Sequence, residues 1–507
     1  MLGRIKAYFK SERFLLIKNR TSDFLSGNIY PALVALFVLT GHITALEFYF
    51  NIPIILSACI SLFICPNIKP FLIVLTTFFY QITFKHTPGD FTYPFVPDGG
   101  YYARPYILAG IIILGALVLI SVLYRFIRYS VPNINRNAPL ILPCTLISLA
   151  FLLNGIFAKG YTVANLFYAL SQVAVYFFLF YLIYFGIKDI ERDELISYIS
   201  YVALLNAAVI LGELAFVYLT YDNLIIDGVI YKEAINLGWA VANPIGFLLT
   251  SFIPMIFLGA LRGRRPLLWL LATLATYVGA VATLSRNAIL FSTLTLLVCL
   301  IYGCFRAPKK RLFRITVIIG LAIAIILAVV FMGKIASLLE RLFEMGLSDN
   351  GRFELWGRAL KHFLAYPIFG VGFFGFGDIG TSTYIAILPT MPHNTILILL
   401  SQMGLFGLVA FVYYRIKLLL PLTKNRTHEK NFLLISFLAI IAMGMLDNFV
   451  FYIYTMFYYV ILKSAAVAIT DGESSTTGES SSIGESSTTG ESSSTGESSS
   501  TGESSSN

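Results

Sequence analysis

The sequence predicts an all-α polytopic transmembrane helix bundle, with about twelve to fourteen spans and one large outer loop. Three observations carry this. Of 507 residues, 57% are hydrophobic and only 12% charged, and the mean hydropathy is +0.79; a soluble domain carries about 25% charge. The apolar residues gather into runs approaching the roughly 20 residues that a bilayer span needs. Lys and Arg fall between these runs, preferentially in alternate connections, as they do where connections alternate between the two sides of a membrane.

The runs follow in order. They cover Ile29–Phe50, Ile52–Ile64, Phe71–Phe84, Pro105–Leu123, Pro139–Phe157, Ala164–Ile187 and Ile196–Thr220, then Ala240–Leu261, Pro266–Leu284, Ala288–Cys304, Ile315–Met332, Thr395–Tyr414, Phe432–Leu446 and Phe449–Leu462. The second and third are short, and read equally as one re-entrant hairpin. Met1 to Gly27 is basic and mixed, and the first run exceeds the apolar core of a signal peptide, so no cleavable leader is expected. Placing the N-terminus inside puts the basic anchors Arg262–Arg265, Arg311 and its neighbours, and the Arg415–Lys430 connection on the cytoplasmic side. That orientation leaves both termini cytoplasmic. The net charge of +9 is accounted for by these loops, with no nucleic-acid partner implied.

Four segments result. Residues 1–28 form a basic cytoplasmic N-terminus, and 29–239 an N-terminal transmembrane bundle. Residues 240–463 form a second transmembrane region containing an outer loop, 333–392. Residues 464–507 form a cytoplasmic tail. From Gly472 the tail repeats GESS every six residues with almost nothing apolar to bury, so it is expected to be disordered. Within the outer loop, Phe353, Trp356, Leu360 and Leu364 recur at helical spacing. This predicts an amphipathic helix over Gly351–Tyr366, stopped by Pro367. A turn rich in glycine and aromatics follows, with Gly370, Gly372, Gly375 and Gly377.

Few residues are equipped for chemistry. His393 lies in PHNT, where the outer loop re-enters the membrane. An imidazole there suits proton abstraction from a sugar hydroxyl near neutral pH, and Asn394 is placed to hold its orientation. A histidine at a span end also serves as a plain interfacial hydrogen-bonder. Arg286 sits in LSRNA, a tight outer connection, on the side that disfavours Arg. It reads as a fixed anion site or as a side chain snorkelling to headgroups. Arg352 opens the loop helix with Trp356 one turn later; its planar fork matches phosphate oxygens. Arg358 and Lys361 read as a solvated helix face. His42, Glu47 and Glu213 lie within spans and read as interhelical hydrogen-bonders. Asp447 reads as the marker of a tight outer turn. The five cysteines, Cys59, Cys65, Cys144, Cys299 and Cys304, lack metal-ligand spacing and read as packing residues. Asp349, Glu354 and Asp378 share no face, so a glycosidase-type carboxylate pair is not expected. Neither a metal nor a cofactor is called for.

HNTILILLSQMGLFG, from His393 to Gly407, resembles the HN-x-x-L-x-x-L-x-x-x-G-x-x-G signature of the O-antigen ligase and polymerase superfamily. GRFELW followed by YPIFGVG resembles the family's preceding helix and Pro/Gly turn, and LSRNA its upstream Ser-Arg pair. The likeness covers about Leu284 to Gly407. It implies a GT-C-like membrane glycosyltransferase that moves a glycan from undecaprenyl diphosphate to an acceptor hydroxyl at the outer face of the bacterial cytoplasmic membrane. By that resemblance Arg286 and Arg352 bind the diphosphate, with Trp356 and Asn394 beside the substrate, and His393 activates the acceptor. The acceptor is a glycan, a lipid or a protein, depending on whether the enzyme is a polymerase or a ligase. The visible lack of an acceptor-specific domain leans toward polymerase. One departure is Gln402, where many members carry Glu. Two rival readings stand: a transporter or flippase of lipid-linked oligosaccharides, and a membrane scaffold whose tail recruits partners.

Overall fold

The computed structural model describes residues 12–81, 105–330 (apart from 160, 162, 221–224, 227–228, 231, 233–234, 263–264 and 308–309), 351–373 and 391–484. Helices dominate. The one sheet among the described residues is a two-residue antiparallel pair, Ile225–Ile226 with Val229–Ile230. Among the described residues, eight helices are long and apolar enough to cross a membrane, or nine if Leu15–Ser26 and Ile29–Ile43, bent by 66°, form one span. That count is below the expected twelve to fourteen because several apolar runs fold as shorter helices, among them Ile141–Ile156 and Pro266–Ala282. The chain is therefore a multi-pass, all-α membrane protein.

Burial follows composition. The Ala242–Arg262 helix is apolar on every side, and 94% of its span lies inside the bundle, as expected of a helix with no polar face. It packs against Arg192–Thr220, Pro266–Ala282, Arg286–Arg306 and His428–Gly444. At the other extreme, Pro105–Asn133 is only 17% buried and turns Ile112, Ile113 and Ile120 outward.

The first two runs divide differently from the sequence expectation. Ile29–Ile43 ends at a turn through Ala45, whose φ is +55°, and Glu47–Ile64 is a single 18-residue helix. The break comes before Glu47 rather than at Asn51. The third run is short, as expected: Lys69–Thr77 continues as one tight turn to Gln81, and its nine α-helical residues are all buried. The turn at Ala45 folds polar side chains inward. His42 Nδ1 lies 4.0 Å from Glu47 and 3.9 Å from Glu213, and Trp239 Nε1 donates to Glu213 at 2.8 Å. This cluster ties three helices together, the interhelical role expected of those residues.

The basic connections gather at one end. Arg262 bonds Asp193 at 2.6 Å and Glu429 at 3.0 Å, and Arg192 bonds Glu429 at 3.0 Å. Two connections assigned to one side by their charge, Arg262–Arg265 and Arg415–Lys430, thus meet each other and the start of the Arg192–Thr220 helix. Glu429 opens the His428–Gly444 helix, so Met445 and the residues after it lie at the opposite end of the bundle. The last helix runs Ile453–Gly484, continuing past Gly472, where a disordered tail was expected to begin. Extending an existing helix adds one hydrogen bond per residue fixed, without a new nucleus. Later repeats lie outside the described residues.

Candidate functional site

Residues from three distant segments converge beyond Gly444. The local structure of PHNT comes first. Asn394 is an N-cap: its Oδ1 accepts from Leu397 N at 3.0 Å and starts the helix at Thr395, as Asn does well. His393 precedes it with φ +46°, an uncommon conformation for a non-glycine residue. Strain of this kind persists only where surrounding contacts enforce it, and several do. Trp356 Nε1 donates to Pro392 O at 2.7 Å, Asn394 Nδ2 to Met445 O at 2.7 Å, and Asn448 Nδ2 to Met391 Sδ at 3.1 Å.

The imidazole has a carboxylate partner. His393 Nδ1 and Asp447 Oδ1 are 3.0 Å apart; Asp447 is 1% exposed and the His393 side chain 30%. Asp447 Oδ1 also accepts from its neighbour's backbone, Asn448 N, at 2.9 Å. With an ionised carboxylate, Nδ1 carries the proton and donates. Nε2 is then the nitrogen left to act as a base.

The turn that carries Asp447 is clamped. Asn394 holds the carbonyl of Met445, Asn287 Nδ2 holds that of Leu446 at 3.1 Å, and Thr395 Oγ1 donates to that of Asp447 at 3.4 Å. Asn287 adjoins Arg286, so LSRNA reaches the turn beside the dyad. Arg286 and Arg352 share one feature: each is the first residue of its helix, Arg286–Arg306 and Arg352–Ala365. A cation is unfavourable at the positive end of a helix dipole, by about 0.3–1 kcal/mol. The same ends offer unpaired N–H groups to an anion. Two helix starts each bearing a guanidinium suit a negatively charged ligand and do little for the helices themselves.

A second docking places the loop helix. Arg352–Ala365 has the predicted extent, with Phe353 against Trp356 edge to face. After it, residues Pro367–Gly372 lie along a break in the Thr395–Thr423 helix. An unbroken helix would pair Leu405 N with Ser401 O and Phe406 N with Gln402 O. All four groups pair with the turn instead: Leu405 N with Pro367 O, Phe406 N with Ile368 O, Val371 N with Ser401 O and Gly372 N with Gln402 O, at 2.8–3.1 Å. One wide π-turn over Leu399–Met403 and Gly404 at φ +62° make the break. A Cβ at Gly404 would lie 2.3 Å from Ile368 O, and one at Gly370 2.4 Å from the Gln402 carbonyl carbon. The contact therefore requires glycine at both positions. Gln402 is buried here and serves the docking through its backbone. The turn ends on Phe373, whose backbone joins Asn154 and Asn165 of the N-terminal bundle. Gly375 and Gly377 lie outside the described residues.

Of the residues singled out in the sequence, the structure joins His393 and Asn394 to one cluster. It brings Trp356 against Pro392 and Arg286 to within one residue of the clamp. Arg352 stands one turn before Trp356 on the same helix. Arg358 pairs with Glu354 at 2.6 Å on an exposed face, and Lys361 is exposed. Sequence reasoning missed Asp447, taken only as a turn marker, and Asn287, taken only as a polar neighbour. The available signal was a polar pair, Asp447-Asn448, between apolar runs at the end that also carries His393. Among the described residues no three His, Cys, Asp or Glu side chains form a group suited to a metal.

Residues 269–412 match the family model described as O-antigen ligase. The match spans Arg286, Arg352, Trp356, His393 and Asn394, and places this region in the O-antigen ligase/polymerase superfamily. No curated protein matches the chain.

Proposed function

We propose that this protein transfers a glycan from undecaprenyl diphosphate to an acceptor hydroxyl at the outer face of the bacterial cytoplasmic membrane, in cell-surface polysaccharide synthesis. The family match supports glycosyl transfer of the ligase or polymerase type. The observation that carries the finer reading is the His393–Asp447 pair, half-open at the end of the bundle where Asn287 and Trp356 bring in the two arginine-bearing helix starts.

The chemistry follows from these groups. His393 Nε2 takes the proton from the acceptor hydroxyl while Asp447 holds Nδ1–H and stabilises the imidazolium that forms. The acceptor oxygen bonds to the donor's anomeric carbon. The carbon–oxygen bond to the diphosphate breaks, and its electron pair leaves with undecaprenyl diphosphate. Arg286 and Arg352 stabilise the charge gathering on that leaving group. Trp356 and Asn394 act by position, each holding a backbone carbonyl that shapes the strained turn at His393.

The test uses purified full-length protein in nanodiscs with its undecaprenyl diphosphate oligosaccharide as sole substrate, and His393→Ala beside it. A His393-dependent glycan ladder identifies a polymerase, whose donor and acceptor are of one kind. Product that forms only after a lipid or protein acceptor is added identifies a ligase. No product under any acceptor, from folded protein, overturns the reading in favour of transport.

A further inference from the structure

Two cations are buried together elsewhere in the bundle. Arg415, in the Gly404–Leu419 helix, is 7% exposed, and Lys463, in the last helix, is 1% exposed. Lys463 Nζ donates to Tyr176 O at 2.9 Å and to Cys144 Sγ at 3.3 Å, and stands 3.8 Å from the Phe180 ring centroid. The π-turn over Ala174–Leu179 is what turns the Tyr176 carbonyl outward to receive it. Arg415 has no such partner. Its guanidinium stacks over Phe411 at 4.8 Å and Tyr459 at 4.7 Å, while Nε and Nη1 are buried with no acceptor. The Tyr176 hydroxyl is likewise buried without a partner. Lys463 Nζ stands 4.7 Å from the Tyr414 ring and 5.6 Å from that of Tyr176, and the Tyr414 hydroxyl meets that of Tyr459, on which Arg415 stacks, at 3.0 Å.

An uncompensated buried charge is among the largest penalties a fold can carry, and two of one sign add their repulsion. Stacking on aromatic faces recovers only a part. Ionisable groups inside a membrane bundle ordinarily face a partner or an ion. Here Arg415 Nε and Nη1 and the Tyr176 hydroxyl are buried without a partner, and all three can donate. We propose that a small monovalent anion of the halide class binds between Arg415 and Lys463, held by Arg415 Nε and Nη1 and by the Tyr176 hydroxyl. Three donors suit a halide better than phosphate, whose oxygens would ask for more donors than these side chains supply. Tyrosine and phenylalanine ring edges, which carry partial positive charge, complete such a cage. The ion joins the N-terminal bundle, through Cys144 and Tyr176, to the helices that carry the transfer site. It is a structural ion, separate from the diphosphate site.

Thermal unfolding of the purified full-length protein in detergent tests this, with chloride exchanged for gluconate at constant ionic strength. The expected result is a saturable rise in Tm with chloride, on the order of 2 °C per tenfold increase above its dissociation constant, with bromide replacing chloride. Tyr176→Phe keeps the ring and should move the chloride midpoint at least about tenfold higher. Arg415→Met should remove the dependence. Where Arg415→Met does not fold, Tyr176→Phe and bromide anomalous density between the two cations carry the test. Equal Tm in chloride and gluconate, or an unchanged chloride dependence in Tyr176→Phe, overturns the proposal. Stabilisation by phosphate with chloride inert overturns the halide assignment.

Discussion

Among the described residues, two clusters combine an imidazole with carboxylate, and they are built to opposite ends. In the N-terminal bundle, His42 lies 3.9–4.0 Å from Glu213 and Glu47, and all three side chains are at most 2% exposed. At the far end of the other half, His393 meets Asp447 at 3.0 Å, with the acid buried and the imidazole 30% exposed. The residue types are the same. What differs is that one cluster is sealed among helices, while the other leaves its imidazole partly exposed on a strained turn. Histidine and acid inside a membrane protein are therefore not in themselves a sign of catalysis. Access, and a hydrogen bond that sets which nitrogen is the base, make the distinction.

The largest expected effect is at the open cluster. His393→Ala should lower the turnover number about 10³-fold while the protein keeps its Tm, read in the nanodisc assay. Asp447→Asn leaves the ring in place but unsettles its tautomer, and should cost about 10²-fold in turnover, with the pH profile of the rate displaced. The sealed cluster sharpens the comparison from the other side. Glu213→Gln should leave turnover within about threefold while lowering Tm by several degrees, because a buried hydrogen-bonding group is disturbed. A turnover loss like that of His393→Ala, at unchanged Tm, would break the comparison and move the chemistry into the N-terminal bundle.

Smaller effects probe the supports. Trp356→Phe removes one hydrogen bond to Pro392 O and should lower turnover about fivefold, the equivalent of roughly 1 kcal/mol. The smallest effect lies at the opposite end. Burial opposes ionisation of Glu429, but its own helix-start backbone, the Thr427 hydroxyl, Arg262 and Arg192 outweigh it and hold the carboxyl below its ordinary value of 4.5. A carboxyl depressed on folding stabilises above its unfolded value, and that contribution fades as pH falls through the folded value. Tm should therefore drop below about pH 4.5, and Glu429→Gln should flatten that part of the curve.

Much of the architecture was legible because it is local. Apolar runs mark helices, and recurring Phe353, Trp356, Leu360 and Leu364 mark the loop helix almost to the residue. Asn before an apolar run marks the cap at Asn394. The misread boundary near Asn51 has a local cause as well: Glu47 sits inside an apolar stretch, and its partner Glu213 is remote in sequence.

By itself, then, the sequence determined that this chain is a membrane helix bundle and that one stretch, carrying Arg286, Arg352 and His393, resembles the O-antigen ligase and polymerase superfamily. Only the tertiary structure decided that Asp447, 54 residues after His393, is the partner of its imidazole, and that Asn287 clamps the turn between them. It alone showed the Pro367–Gly372 turn taking over hydrogen bonds from a broken helix, and Arg415 and Lys463 buried on either side of the Tyr414–Tyr459 pair. Periodicity reports which face of a helix is apolar; it carries no information about which distant helix that face meets. Pairings across the bundle are set by packing of whole helices, and a single polar residue among apolar neighbours looks the same in sequence whether it is a turn marker or half of an imidazole–carboxylate pair.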